Sequence, residues 1–79
     1  MEEKIHIGKR IRQRLKEDRR SAAWLAEQLH CDRTNVYKLY GKSHIDVEQL
    51  LRISLALRFD FFQCYSDYVQ KCCLNGYKE

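Results

Sequence analysis

Seventy-nine residues, 44% of them hydrophobic, suffice for one hydrophobic core and leave no room for a second. No run of about 18 apolar residues occurs, and MEEKIHIGKR carries neither the apolar stretch nor the cleavage site of a secretory leader, so neither a membrane span nor export is expected and the protein is expected in the cytoplasm, or in the nucleus if its host has one. The net charge of +4 is uneven: residues 59–79 stand at −1 and residues 1–58 at +5, with seven basic side chains between Lys9 and Arg20, which favours a polyanionic partner.

Proline is absent and glycine occurs only at positions 8, 41 and 76. With apolar residues recurring at 3.6-type intervals, this predicts an all-α, compact five-helix bundle over residues 1–72, followed by a weakly patterned tail, 73–79, that is expected to fray. Ile7, Ile11 and Leu15 fall at i, i+4 and i+8 and predict a first helix over 7–18 with its basic residues outside. Ser21 is suited to cap a second helix over 22–29, whose apolar surface is Trp24, Leu25, Ala26 and Leu29.

Asp32 is expected to cap a third helix over 33–40, and Gly41 to close it in a left-handed conformation. Asp46 and Gln49 have capping-box spacing at the head of a fourth helix over 47–57. Val47, Leu50, Leu51, Ile53, Leu55 and Leu57 make that helix apolar on more than one face, as suits a central packing element. Asp60 and Gln63 repeat the spacing and predict a fifth helix over 61–71, with Phe61, Phe62, Tyr65, Tyr68 and Val69 on its apolar side. Phe61 and Phe62 are expected to finish the core.

The segment Leu25 to Lys42, LAEQLHCDRTNVYKLYGK, carries the functional signal. It spells two short helices joined by a turn too short for an antiparallel pair, with the small Ala26 where they cross. Val36 and Leu39 repeat on one side of the second helix of the pair. Arg33, Thr34, Asn35, Tyr37 and Lys38 fill its other faces. This is a helix-turn-helix pattern, and the second helix has the polar, cationic shape that enters a DNA major groove.

Three pieces in order, IGKRIRQRLKE, LAEQL and DVEQLLRISLALRFDFF, resemble the Cro/repressor-type (XRE-like, lambda-repressor-like) DNA-binding domains over residues 7–62. The resemblance implies a sequence-specific transcriptional regulator of repressor type that binds double-stranded DNA as a homodimer. It implies that Arg33 and Thr34 face base edges and that Lys38 faces bases or the neighbouring backbone. Asn35 and Tyr37 would touch sugar or phosphate, and Lys42 and Ser43 the phosphates beyond the helix. Two departures stand out. Ala22 replaces the polar residue that braces the phosphate in relatives, leaving only Ser21 near that place, and His30 occupies the turn position where relatives commonly carry glycine. On the first helix, Arg10, Arg14 and Lys16 are expected to supply salt-sensitive attraction.

Tyr65, Tyr68 and Val69 are the candidates for a homodimer contact, because aromatics in excess of core needs mark interfaces. The same excess motivates a rival reading as an antitoxin-like or accessory protein-interaction module with secondary DNA binding. An enzyme is not expected: no nucleophile is paired with a base and no phosphate-cradling glycine loop occurs. No cofactor is expected either. His6, His30, His44 and the cysteines at 31, 64, 72 and 73 have no zinc-type spacing, and free thiols are the default, with Cys31 a small hydrophobe in the turn.

Overall fold

A computed structural model of the chain describes residues 5–73. Five helices follow one another: α1 (Ile7–Glu17), α2 (Ala22–Leu29), α3 (Arg33–Tyr40), α4 (Val47–Leu57) and α5 (Phe62–Lys71). No strand occurs among the described residues. Of the tail expected to fray, 73–79, positions 74–79 lie outside the described residues, and Cys73 continues the helical backbone beyond α5.

The core is built where the periodicity requires it. Ile7, Ile11 and Leu15 of α1 meet Leu25, Ala26 and Leu29 of α2, Val36 and Leu39 of α3, and Leu50, Ile53 and Leu57 of α4. Phe61 closes this cluster, fully buried and in edge contact with Phe59, ring centroids 4.8 Å apart. Cys31 is half-buried against the same core.

Helix starts largely follow the expected caps. Ser21 Oγ accepts from the Trp24 amide at 3.0 Å and Asp46 Oδ1 from the Gln49 amide at 2.9 Å. Each satisfies a first-turn donor that the helix itself leaves open. His6 does the same for α1 through its ring nitrogen, which accepts from the Lys9 amide. Asp32 does not: its side chain makes no capping bond at the head of α3, and only its carbonyl accepts, from the Asn35 amide. α5 begins at Phe62, one residue later than expected: Phe61 takes the cap position and belongs to the core, and Asp60 Oδ1 accepts from the Phe62 amide without capping the helix.

Helix ends depart more from expectation. Gly41 is right-handed, with φ −88°, so α3 does not stop on a left-handed glycine. The left-handed positions are instead Arg19, His30 and Arg58, at φ 58°, 57° and 52°. Each lets the next amide reach back to a carbonyl five residues earlier: Arg20 to Leu15, Cys31 to Ala26 and Phe59 to Ser54. That is the C-terminal bond pattern usually made through glycine. Here, three ordinary residues accept a backbone conformation costing about 1–2 kcal/mol each. α1 accordingly stops at Glu17, one residue short of expectation, with Asp18 as its C-cap.

α4 also differs from expectation. Only its Leu50, Ile53, Ser54 and Leu57 side is buried. Val47, Leu51 and Leu55, one turn apart along another side, are 69%, 46% and 68% exposed. α5 buries none of its residues fully. Phe62 and Tyr65 pack partly against the core.

Candidate nucleic-acid interface

α3 is held from below and behind, and free in front. Val36 and Leu39 are fully inside, while Arg33, Thr34, Asn35, Tyr37 and Lys38 are all exposed. The residues beneath α3 come from α1 and α2, and a three-residue turn, 30–32, joins α2 to it. His30 turns the chain there in its left-handed conformation, and Ala26 and Leu29 of α2 lie buried at the contact.

The far end of α3 is fixed by a residue to which sequence reasoning assigned no role. The amides of Ile7 and Gly8 donate to the carbonyls of Ser43 and Lys42 at 3.2 and 2.9 Å, so the free N-terminus of α1 captures the loop leaving α3. A Cβ on Gly8 would lie 2.4, 2.5 and 2.7 Å from the backbone carbonyls of Leu39, Tyr40 and Lys42. Only glycine permits that approach. The signal in the sequence is a glycine in the first turn of a helix, where it costs propensity unless something must come close.

The exposed surface of α3 has two flanks. On one, the guanidinium of Arg12 lies 5.8 Å from the ring centre of Tyr40, which in turn meets Tyr37 edge-on at 6.0 Å. Burial raises the Tyr40 phenol above its ordinary range, the nearby Tyr37 adds to this, and Arg12 opposes it. On the other flank, a groove of about 470 Å³ runs between the end of α2, α3 and the first turns of α4. Its polar lining includes His30, Asn35, Lys38, Lys42, Gln49 and Arg52, and no acidic residue lines it. Arg52 braces it by donating to the Leu29 carbonyl at 3.3 Å, capping the end of α2 from α4.

Among the described residues the ion pairs belong to Arg14, with Glu17 at 3.7 Å and Asp18 at 3.1 Å. The Arg33 side chain therefore makes no ion pair with its neighbour Asp32, and Lys38 and Lys42 have no acidic partner there either. Ser43 is exposed and its hydroxyl meets the His44 ring at 3.3 Å. Ser21 is exposed at the head of α2, its oxygen already accepting from Trp24.

Seven of the expected side chains thus gather on or beside α3: Arg33, Thr34, Asn35, Tyr37, Lys38, Lys42 and Ser43. Arg10 and Arg14 do not join them. Arg10 donates to Cys64 Sγ of α5 at 3.5 Å, and Arg14 stacks 4.4 Å over the Phe59 ring while its fork holds Asp18. Both line a cleft of about 370 Å³ between α1 and the start of α5. Arg12 is the α1 cation on the α3 side, because two positions on a 3.6-residue period are roughly 160° apart around the helix. It lies one turn beyond Gly8, and that i, i+4 relation was the available clue. Arg52 was legible only once α4 was known to lie beside the end of α2.

Trp24 is half-buried against the core with the Arg20 guanidinium 4.4 Å over its ring, a packing arrangement. Cys31 and Cys64 are half-buried free thiols and Cys72 and Cys73 exposed ones, and no cluster of three metal-ligating side chains forms among the described residues. Nor, among those residues, is any helix long and apolar enough to cross a membrane. Comparison with protein-family models, curated proteins and solved structures finds no match to this chain.

Proposed function

We propose that the chain is a sequence-specific, double-stranded-DNA-binding transcriptional regulator of repressor type, in which α2 and α3 act as a helix-turn-helix and α3 enters the major groove. The observation that carries the reading is the exposed front of α3: five polar side chains within two turns over two buried aliphatics, flanked by Arg12, Lys42 and Arg52. Arg33, free of any ion pair among the described residues, offers a planar fork to guanine O6 and N7, worth about 1–3 kcal/mol of base discrimination. Thr34 offers a methyl to thymine or a hydroxyl to a base edge.

Lys38, Lys42 and Arg52 line a groove without carboxylates and so attract a backbone phosphate, with Asn35 and Ser43 as neutral donors beside them. Ser21 retains its hydroxyl proton for a phosphate at the head of α2. Each phosphate neutralised adds about −0.9 to the slope of log affinity against log salt. The footprint of one copy is small, so a homodimer placing two α3 helices about 34–36 Å apart is the expected operator-binding form.

Selection from random duplex, followed by titration of the winning site at two salt concentrations, tests this. Symmetric sites and a steep salt slope are expected. The Arg33→Ala variant should bind the selected site about tenfold more weakly and lose preference at one base pair, with an unchanged melting temperature. Binding that is absent or insensitive to salt defeats the proposal, and an unaltered base preference in that variant removes Arg33 from base reading.

One observation favours a second reading, an accessory module that docks another protein: α5 buries none of its residues and its Val69 is 57% exposed.

A further inference from the structure

We infer that the cleft between α1 and the head of α5 binds a small organic anion, a flat aromatic carboxylate whose acid group Arg10 holds and whose ring lies along Phe59. The inference goes beyond the DNA-binding reading and does not rest on it. The cleft measures about 370 Å³, within the range of small-molecule sites. Arg10, Gln13 and Arg14 of α1 line one wall, and Phe59, Phe61 and Cys64 line the other.

The two ends of the cleft differ in charge. Toward the end of α1 the charges are already matched. Gln13 Nε2 donates to Glu17 at 3.2 Å, and the Arg14 guanidinium holds Glu17 at 3.7 Å and Asp18 at 3.1 Å. Toward the start of the helix they are not. Arg10 donates to the Cys64 sulfur at 3.5 Å and lies near the Tyr65 phenol, and neither is a carboxylate. Sulfur is a weak acceptor, whereas a guanidinium presents a planar fork of donors. Lys9 lines the same end, exposed and without an acidic partner among the described residues. A carboxylate placed there accepts two parallel N–H bonds from Arg10, which are stronger than its bond to the thiol.

The opposite wall decides what else the ligand carries. Phe61 is fully buried at the base, and Phe59 is half-buried and meets it edge-on at 4.8 Å. The Arg14 guanidinium stacks 4.4 Å over Phe59, so ring and cation plane together form a surface that a further flat ring extends. A bare inorganic anion would satisfy Arg10 and leave this wall wet. A neutral aromatic would cover the wall and leave Arg10 with the thiol. DNA is a poor occupant for a geometric reason: Arg12, on the α3 side of α1, and Arg10 are roughly 160° apart around the helix, so a duplex on α3 approaches the other side.

Calorimetric titration of the full chain with 1-naphthylacetate, in the absence of DNA, tests the inference. Acetate carries the acid without the rings, and 1-naphthylacetamide carries the rings without the charge. Each is expected to bind at least about tenfold more weakly than naphthylacetate. Arg10→Gln should also lose about tenfold in affinity for naphthylacetate. Its melting temperature should hold, because Arg10 is exposed and its contact with sulfur is weak. Location is read on the unaltered chain: naphthylacetate should slow alkylation of Cys64 by iodoacetamide and leave Cys31, which lines the groove beside α3, as reactive as before. Four results overturn the inference: no saturable binding; acetate or the amide binding as tightly as naphthylacetate; a Cys64 that is not protected; or full affinity in Arg10→Gln. DNA enters none of these measurements, so this failure is separate from failure of the DNA-binding reading.

Discussion

α3 and α5 are helices of similar length with opposite designs. α3 buries Val36 and Leu39, rests on α1 and α2, and shows solvent a polar face. α5 buries nothing fully: Phe62, Cys64, Tyr65 and Tyr68 are half-buried, and Val69 is its one large apolar residue left exposed among polar neighbours. The contrast separates two uses of an exposed helix. A polar face on a rigid support costs little to leave wet and holds its side chains in register, which suits recognition of a fixed lattice of donors and acceptors. A helix whose apolar side chains are only half covered is packing left unfinished, which a partner would complete.

The sharpest way to break the contrast is to loosen the support of α3. Gly8→Ala sets a methyl group among three backbone carbonyls that have no flexible end to move aside. Either the α1 amides release Lys42 and Ser43, or the end of α3 lifts. The expected loss is about 3 kcal/mol, at the upper end for overpacking, read as a lower denaturation midpoint in urea at constant slope. A wild-type midpoint would mean that α1 does not anchor the end of α3.

Next in size is one chemical change made in both helices. Val36→Ala removes two methyl groups from a fully buried site and should destabilise by about 2 kcal/mol. Val69→Ala removes the same groups from a 57%-exposed site and should cost under about 0.5 kcal/mol in dilute protein. Thermal melts at two protein concentrations refine the second figure. If α5 is finished by a second copy, the cost of Val69→Ala grows with concentration while that of Val36→Ala stays fixed. Equal costs for the two valines at low concentration would erase the distinction between the helices.

How much of this was legible beforehand follows the range of the interactions involved. Helix ranges and the core of α1, α2 and α3 are local and periodic, so Ile7, Ile11, Leu15, Val36 and Leu39 could be assigned from spacing alone. The front of α3 was legible for the same reason, being the complement of its buried side. α4 was misjudged because apolar residues stand on more than one of its faces. Which apolar side is covered is set by the packing of α4 on α2 and the core, which takes Leu50, Ile53 and Leu57 and leaves Val47, Leu51 and Leu55 exposed. Arg10 and Arg14 were assigned from charge and proximity in sequence. Their actual neighbours, Cys64 and Phe59, lie more than forty residues on, and no local pattern reports such a contact. Asp32 shows the limit of capping rules: the residue type fits and the backbone is extended, yet the side chain makes no bond to a first-turn amide.

The smallest expected effect concerns the turn between α2 and α3, and it asks whether α3 is oriented by its packing or by its connection. His30 sits at φ 57°, where a side chain costs about 1–2 kcal/mol, and glycine would remove that cost at the expense of about 0.5–1 kcal/mol of extra chain entropy when unfolded. His30→Gly should therefore stabilise the domain by roughly 0.5–1 kcal/mol, seen as a rise in denaturation midpoint. Its ring lines the cationic groove but the cations there are Lys38, Lys42 and Arg52, so DNA affinity should not change. A stabilised variant with weakened binding would show that the histidine, and not the buried face of α3, sets the angle at which Arg33 is presented. Stability and affinity that both hold or rise would leave orientation to Val36, Leu39 and the Gly8 anchor, because a freer turn would then have been added without loosening the reading face.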